Sequence, residues 1–200
     1  MRVSFRPFSL GPLRPLPPHV NGLPRQSRRG GPQSPPVPPC EAALRYAGWG
    51  WPVAACPDAP GTVDPDQILA LWNRQPDAPV LGSCGCAFDV VEADGELGRN
   101  ALARLDRLGV SPGPVVLDRA EYGRRLGFLV RAGGAGAIRP WVSWAGSTRL
   151  FSTGQKYELP AARPGRRDWL REPCVGQGGR PVLPAAHLIL GTLALATNRA

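Results

Sequence analysis

Lysine is almost missing from this chain. Lys156 is the only one, so the basic residues are nearly all arginine, set among abundant glycine, proline and alanine. That bias reads as high-GC coding, and it raises the net charge without implying a partner. Histidine is scarce too: His19 and His187 are the only two. The five cysteines, Cys40, Cys56, Cys84, Cys86 and Cys174, are odd in number, which argues against a disulfide framework and for reduced thiols in a cytoplasmic setting. Cys84-Gly85-Cys86 is too tight for the usual two-residue metal spacing, and no second pair or neighbouring histidine completes four ligands. No run approaches the roughly 18 apolar residues of a membrane span. Ala185–Thr197 comes nearest, contains His187, and reads as a helix packed on a domain.

Acid is absent from residues 1–40, which hold Arg2, Arg6, Arg14, Arg25, Arg28 and Arg29 and so carry +6 of the net +9. The remainder carries only +3, too little to argue for nucleic acid from charge alone. Residues 1–39 are dense in proline, arginine, glycine and serine, with few large apolar residues to build a core. A disordered tail is predicted there. It lacks the apolar stretch of a secretory signal, and Pro7, Pro12, Pro15, Pro17 and Pro18 prevent the amphipathic helix of a transit peptide. A misassigned start codon is the other reading. Residues 40–200 are predicted to form one domain.

Within it the pattern alternates. Ala43, Leu44 and Ala47 lie at helical spacing, with Gly48 as a stop, and Trp51–Ala55 reads as a short strand. Asp64 is an N-cap candidate, Pro65 suits the first helical position, and Gln67 sits three residues after the cap. Ile68, Leu71 and Trp72 make an apolar stripe that Pro76 ends. Pro79–Leu81 and Ala87–Val91 read as buried strands. Leu97, Ala101, Leu102, Leu105 and Leu108 mark a helix closed by Gly109. Val115–Leu117, Gly127–Val130, Trp141–Trp144 and Lys156–Leu159 read as strands, and Pro184–Thr197 as a last helix. Helices in the first half and strands in the second predict an α+β fold.

The words ALRYAGWGWPV, then TVDPDQILALWNRQPDAPVLGS, then FDVVEADGELGRNALARL, in this order and spacing, resemble the bifunctional DNA primase/polymerase N-terminal domain. That domain belongs to the archaeo-eukaryotic primase superfamily. The likeness covers about 41–175, is closest in 41–108, and is strongest to divergent actinobacterial members. It implies a mixed sheet flanked by helices, DNA or nucleotide as partner, and magnesium or manganese as cofactor. It also implies an acidic-x-acidic pair at a strand end, here Glu92 and Asp94. Residues two apart on a strand share a face, and two carboxylates there hold divalent metal that stabilises triphosphate charge. The plainer alternative is a strand running into a turn at Asp94-Gly95.

Three departures follow from the same likeness. Arg124 and Arg125 stand where the family has a phosphate-contacting histidine; they are phosphate-binding candidates or an exposed loop pair. The family's third metal-binding aspartate has no counterpart, because no acid occurs between Glu121 and Glu158; Thr148 or Arg149 is nearest the expected place, and Glu158 falls in the next strand. The loop AACPDAPG is short. Trp72 reads as core, and the other tryptophans as packing or as base-stacking platforms. The resulting expectation is a domain degenerate at its active site, with Glu92 and Asp94 vestigial. The alternatives are an active nucleotidyltransferase using Glu92 and Asp94, and a structural protein of unrelated function.

Overall fold

Helix α1 (Pro39–Gly48) starts earlier than its apolar spacing suggests, because Pro39 takes the first helical position. Ala42, Ala43, Tyr46 and Ala47 form its buried face. In this computed structural model the described residues are 38–119, 123–134, 147–161 and 166–197, all within the unit Pro35–Ala200. The predicted tail, and the predicted strand at Trp141–Trp144, lie outside the described residues.

The next helix, α2 (Pro65–Arg74), begins as its sequence dictates. The Asp64 carboxylate accepts the amide of Asp66 at 2.9 Å and the side chain of Gln67 at 3.1 Å. Ile68 and Trp72 are buried, and the Trp72 indole donates to the carbonyl of Ala78 at 3.2 Å. Helix α3 (Gly95–Arg107) buries Leu97, Ala101, Leu102 and Leu105, and helix α4 (Ala186–Thr197) buries Ile189, Thr192 and Leu193. Among the described residues, no helix is long and apolar enough to cross a membrane.

The strands divide between two sheets. Strands β1 (Val53–Ala54), β2 (Leu81–Ser83) and β7 (Lys156–Glu158) form a three-stranded sheet ordered β1-β2-β7. Strands β3 (Phe88–Asp94), β4 (Val115–Asp118), β5 (Arg125–Arg131), β6 (Thr148–Phe151) and β8 (Arg167–Arg171) form a five-stranded sheet ordered β6-β3-β5-β4-β8. The α+β class holds, and every pairing among these strands is antiparallel where the resemblance implied a mixed sheet. Strand β2 sits later than the Pro79–Leu81 expected, since proline has no amide to give a ladder. Strand β8 was not expected. Its composition, Arg-Asp-Trp-Leu-Arg, lacks an apolar run because it lies at a sheet edge and buries only part of itself.

Two cores cover the two faces of the five-stranded sheet. Phe88, Val90, Val116 and Leu129 face the core that includes Tyr46, Trp51, Trp72 and Tyr157. Val91, Ala93, Val115, Leu126, Phe128 and Val130 face α3 and α4. Strand β3 is therefore buried on both faces, although Asp89, Glu92 and Asp94 interrupt its apolar residues.

Candidate functional site

On β3 the first face carries Phe88, Val90, Glu92 and Asp94, by the alternation of a regular strand. Toward the end of the strand this face changes from apolar to charged. Antiparallel register lines Asp94 up with Arg125 on β5, Arg125 with Asp118 on β4, and Asp118 with Arg167 on β8. A row of alternating charge thus crosses four strands. One step inward, Glu92 lies opposite Gly127 on β5 and Arg149 on β6.

Glu92 is 1% exposed. Its Oε1 accepts the Arg125 Nε proton at 2.5 Å, and the Arg149 guanidinium stands 4.0 Å away. A second Arg125 nitrogen donates to the Ser147 carbonyl at 2.9 Å. Asp94 is not a turn residue. It is the N-cap of α3, and its Oδ1 accepts the amides of Glu96 at 3.1 Å and Leu97 at 2.9 Å. Burial works against the charged form of Asp94. The amide of Leu97, the Ser147 hydroxyl, the amide of Glu96 and the nearby Arg125 charge outweigh it and hold the carboxyl below its ordinary pKa. The first helical residue is glycine because a β-carbon at Gly95 would lie 2.6 Å from the Arg124 carbonyl oxygen.

The two sequence-predicted arginines differ. Arg124 is exposed in the loop before β5, and no ion pair among the described residues involves it. Arg125 is the first residue of β5 and is committed to Glu92. Glu158 lies in the other sheet, on β7, with an oxygen 3.9 Å from Arg167. His187 is exposed on α4. Cys84 is buried and Cys86 exposed; burial pushes the Cys84 thiol pKa up, so it stays protonated. Trp141 and Trp144 lie outside the described residues.

A second buried acid was missed from sequence. Asp118 is 2% exposed and accepts Arg167 through Nε at 3.0 Å, with the adjoining Nη2 at 2.9 Å. Arg166 donates to its other oxygen at 3.3 Å. The signal was present: VVLD ends an apolar strand on an acid, as FDVVEAD does. Tyr157 covers this belt from the smaller sheet. Its hydroxyl sits over Gly127, where a β-carbon would collide with it, and Arg167 stacks 4.4 Å from its ring centroid. Burial pushes the phenol pKa up against the opposing Arg167 charge, with Glu92 and Asp118 adding to the shift.

An α+β domain whose central antiparallel strand delivers two acids to one end of a sheet has the frame of a primase/polymerase-like domain. A family model described as "Bifunctional DNA primase/polymerase, N-terminal" matches residues 43–172. The chain belongs to that family, and it is a DNA primase/polymerase-like domain protein. No curated protein and no solved structure matches it.

The donor set does not fit the divalent ions that the family implies. The immediate charged neighbours of Glu92 are guanidiniums, and Asp94 spends an oxygen on two helix amides. Among the described residues no group of three or more His, Cys, Asp or Glu is placed to hold a metal ion.

Proposed function

We propose that this protein is a primase/polymerase-like domain without template-dependent polymerisation, acting in the cytoplasm and keeping at most weak binding of nucleotide or nucleic acid. The observation that carries this reading is the register of β6. The residue directly opposite Glu92 is Arg149, one of the two residues, with Thr148, nearest the place where the family resemblance calls for a third acid. Phosphoryl transfer depends almost wholly on positioning and on stabilising charge. Two carboxylates that face guanidiniums and helix amides supply neither function to a triphosphate. Arg124, exposed beside the end of β3, is the phosphate contact in this reading, and its planar fork suits an anion.

The test is primer extension by the full chain with labelled nucleotides and magnesium or manganese, beside Glu92→Ala/Asp94→Ala. No incorporation by either protein is expected. Incorporation that the double substitution abolishes would overturn the reading and make Glu92 and Asp94 catalytic. Nucleotide-dependent thermal stabilisation that Arg124→Ala weakens separates a binding module from a structural protein of unrelated function.

A further inference from the structure

Glu92, Arg125, Ser147 and Asp94 are linked in a chain. Glu92 holds Arg125 through Nε, Arg125 holds the Ser147 carbonyl through Nη2, and the Ser147 hydroxyl reaches Asp94, which also feels the Arg125 charge. Arg149 adds a second guanidinium at 4.0 Å from Glu92, with 67% of its side chain exposed. Glu92, at 1% exposure, would carry an uncompensated buried charge without these cations.

We propose that Arg125, assisted by Arg149, is the resident cation of the Glu92–Asp94 pair, neutralising it in place of a divalent ion, and that removing these guanidinium charges turns the pair into a divalent-cation site. The inference rests on the degenerate reading above. A guanidinium and a divalent ion both neutralise carboxylates, and they compete for the same lone pairs. Arg125 is built into β5 and so acts at an effective concentration that a free ion does not match. Its second bond, to Ser147, ties the start of β6 to the same centre, so neutralisation and strand docking are one interaction.

The experiment uses the full chain with manganese chloride as probe, read by thermal midpoint and by the electron paramagnetic resonance signal of free Mn2+. The wild type is expected to show no saturable binding and no shift. Arg125→Met/Arg149→Met is expected to melt several degrees lower without metal. It should then regain much of that loss, saturably, as Mn2+ is added, or refold on its addition if it is unfolded without metal. Adding Glu92→Gln and Asp94→Asn to that variant should remove the Mn2+ response. Arg125→Met/Glu92→Gln should melt above Arg125→Met alone, because both partners of the buried pair are then gone.

Saturable Mn2+ binding by the wild type that Glu92→Gln abolishes overturns the proposal. So does an arginine-free variant, folded or unfolded, that Mn2+ leaves unchanged. The second result leaves the absence of polymerisation standing, whereas nucleotide incorporation that persists in Glu92→Ala/Asp94→Ala sinks that reading and not this one; incorporation that the double substitution abolishes sinks both.

Discussion

Asp94 shows how a single residue changes its work with its neighbours. Its folded pKa lies below the ordinary value, so the folded state gains stability from its charge above about pH 4, the unfolded value. That contribution is lost as pH falls through the lower folded pKa. Asp94→Ala removes the cap of α3 and is expected to cost about 0.5–2 kcal/mol at neutral pH. Urea denaturation at a series of pH values should show the gap between wild type and variant closing below about pH 4. A gap independent of pH would mean that the carboxylate charge contributes nothing. Gly127 makes a steric case at the same scale. Its missing β-carbon is what lets the Tyr157 hydroxyl descend onto β5. Gly127→Ala is expected to lose about 1–3 kcal/mol by overpacking, and less in a Tyr157→Leu background. Equal costs in both backgrounds, measured as a double-mutant cycle, would show that the two residues do not collide.

Among the elements, α2 is the one whose sequence specifies it most fully. Asp64, Pro65 and Gln67 set its start locally, and the stripe Ile68, Leu71, Trp72 sets its buried side. Asp64→Ala is expected to cost about 0.5–2 kcal/mol. Trp72→Ala, which empties a buried site, is expected to cost about 3–5 kcal/mol. Thermal or urea unfolding measures both, and a neutral Trp72→Ala would mean that the indole does not support the core. Strand β3 was legible as a buried strand, but its last residue was not legible as a helix cap. Asp-Gly is common at turns, and only the amides of Glu96 and Leu97 decide in favour of the cap. Strand β8 was illegible. An edge strand needs no apolar run, and the ladder that makes it a strand is supplied by β4, some fifty residues earlier.

For the whole molecule, the relevant question is where the core lies. Among the described residues, both hydrophobic clusters draw their members from Cys40 onward. Residues 1–34 are dense in proline and arginine, with few large apolar residues to build a core, so deleting them is expected to leave the thermal midpoint almost unchanged, and a fall of several degrees on that deletion would contradict this. The same two clusters explain why one sheet can bury three acids, Asp89, Glu92 and Asp118. A sheet covered on both faces hides whatever its central strands carry, and each of these acids is met by a donor. The Gly133 amide reaches Asp89 at 3.0 Å, Arg125 meets Glu92, and Arg167 meets Asp118.

The sequence by itself determined the α+β class, the helix at Asp64, the burial of the FDVV run and the family, through the order of three words from Ala43 to Leu105. These are local matters: caps, periodicity and spacing act within a few residues of one another. It also exposed the missing third acid, since an absence from a stretch of chain needs no coordinates. Only the tertiary structure decided what the remaining acids do. Glu92 meets Arg125 across 33 positions and Asp118 meets Arg167 across 49, and pairings at such separations are set by strand register, which no local pattern encodes. The arginine that looked like a phosphate ligand from its neighbours became the partner of the carboxylate that looked like a metal ligand, because β5 runs antiparallel to β3 and brings the two together.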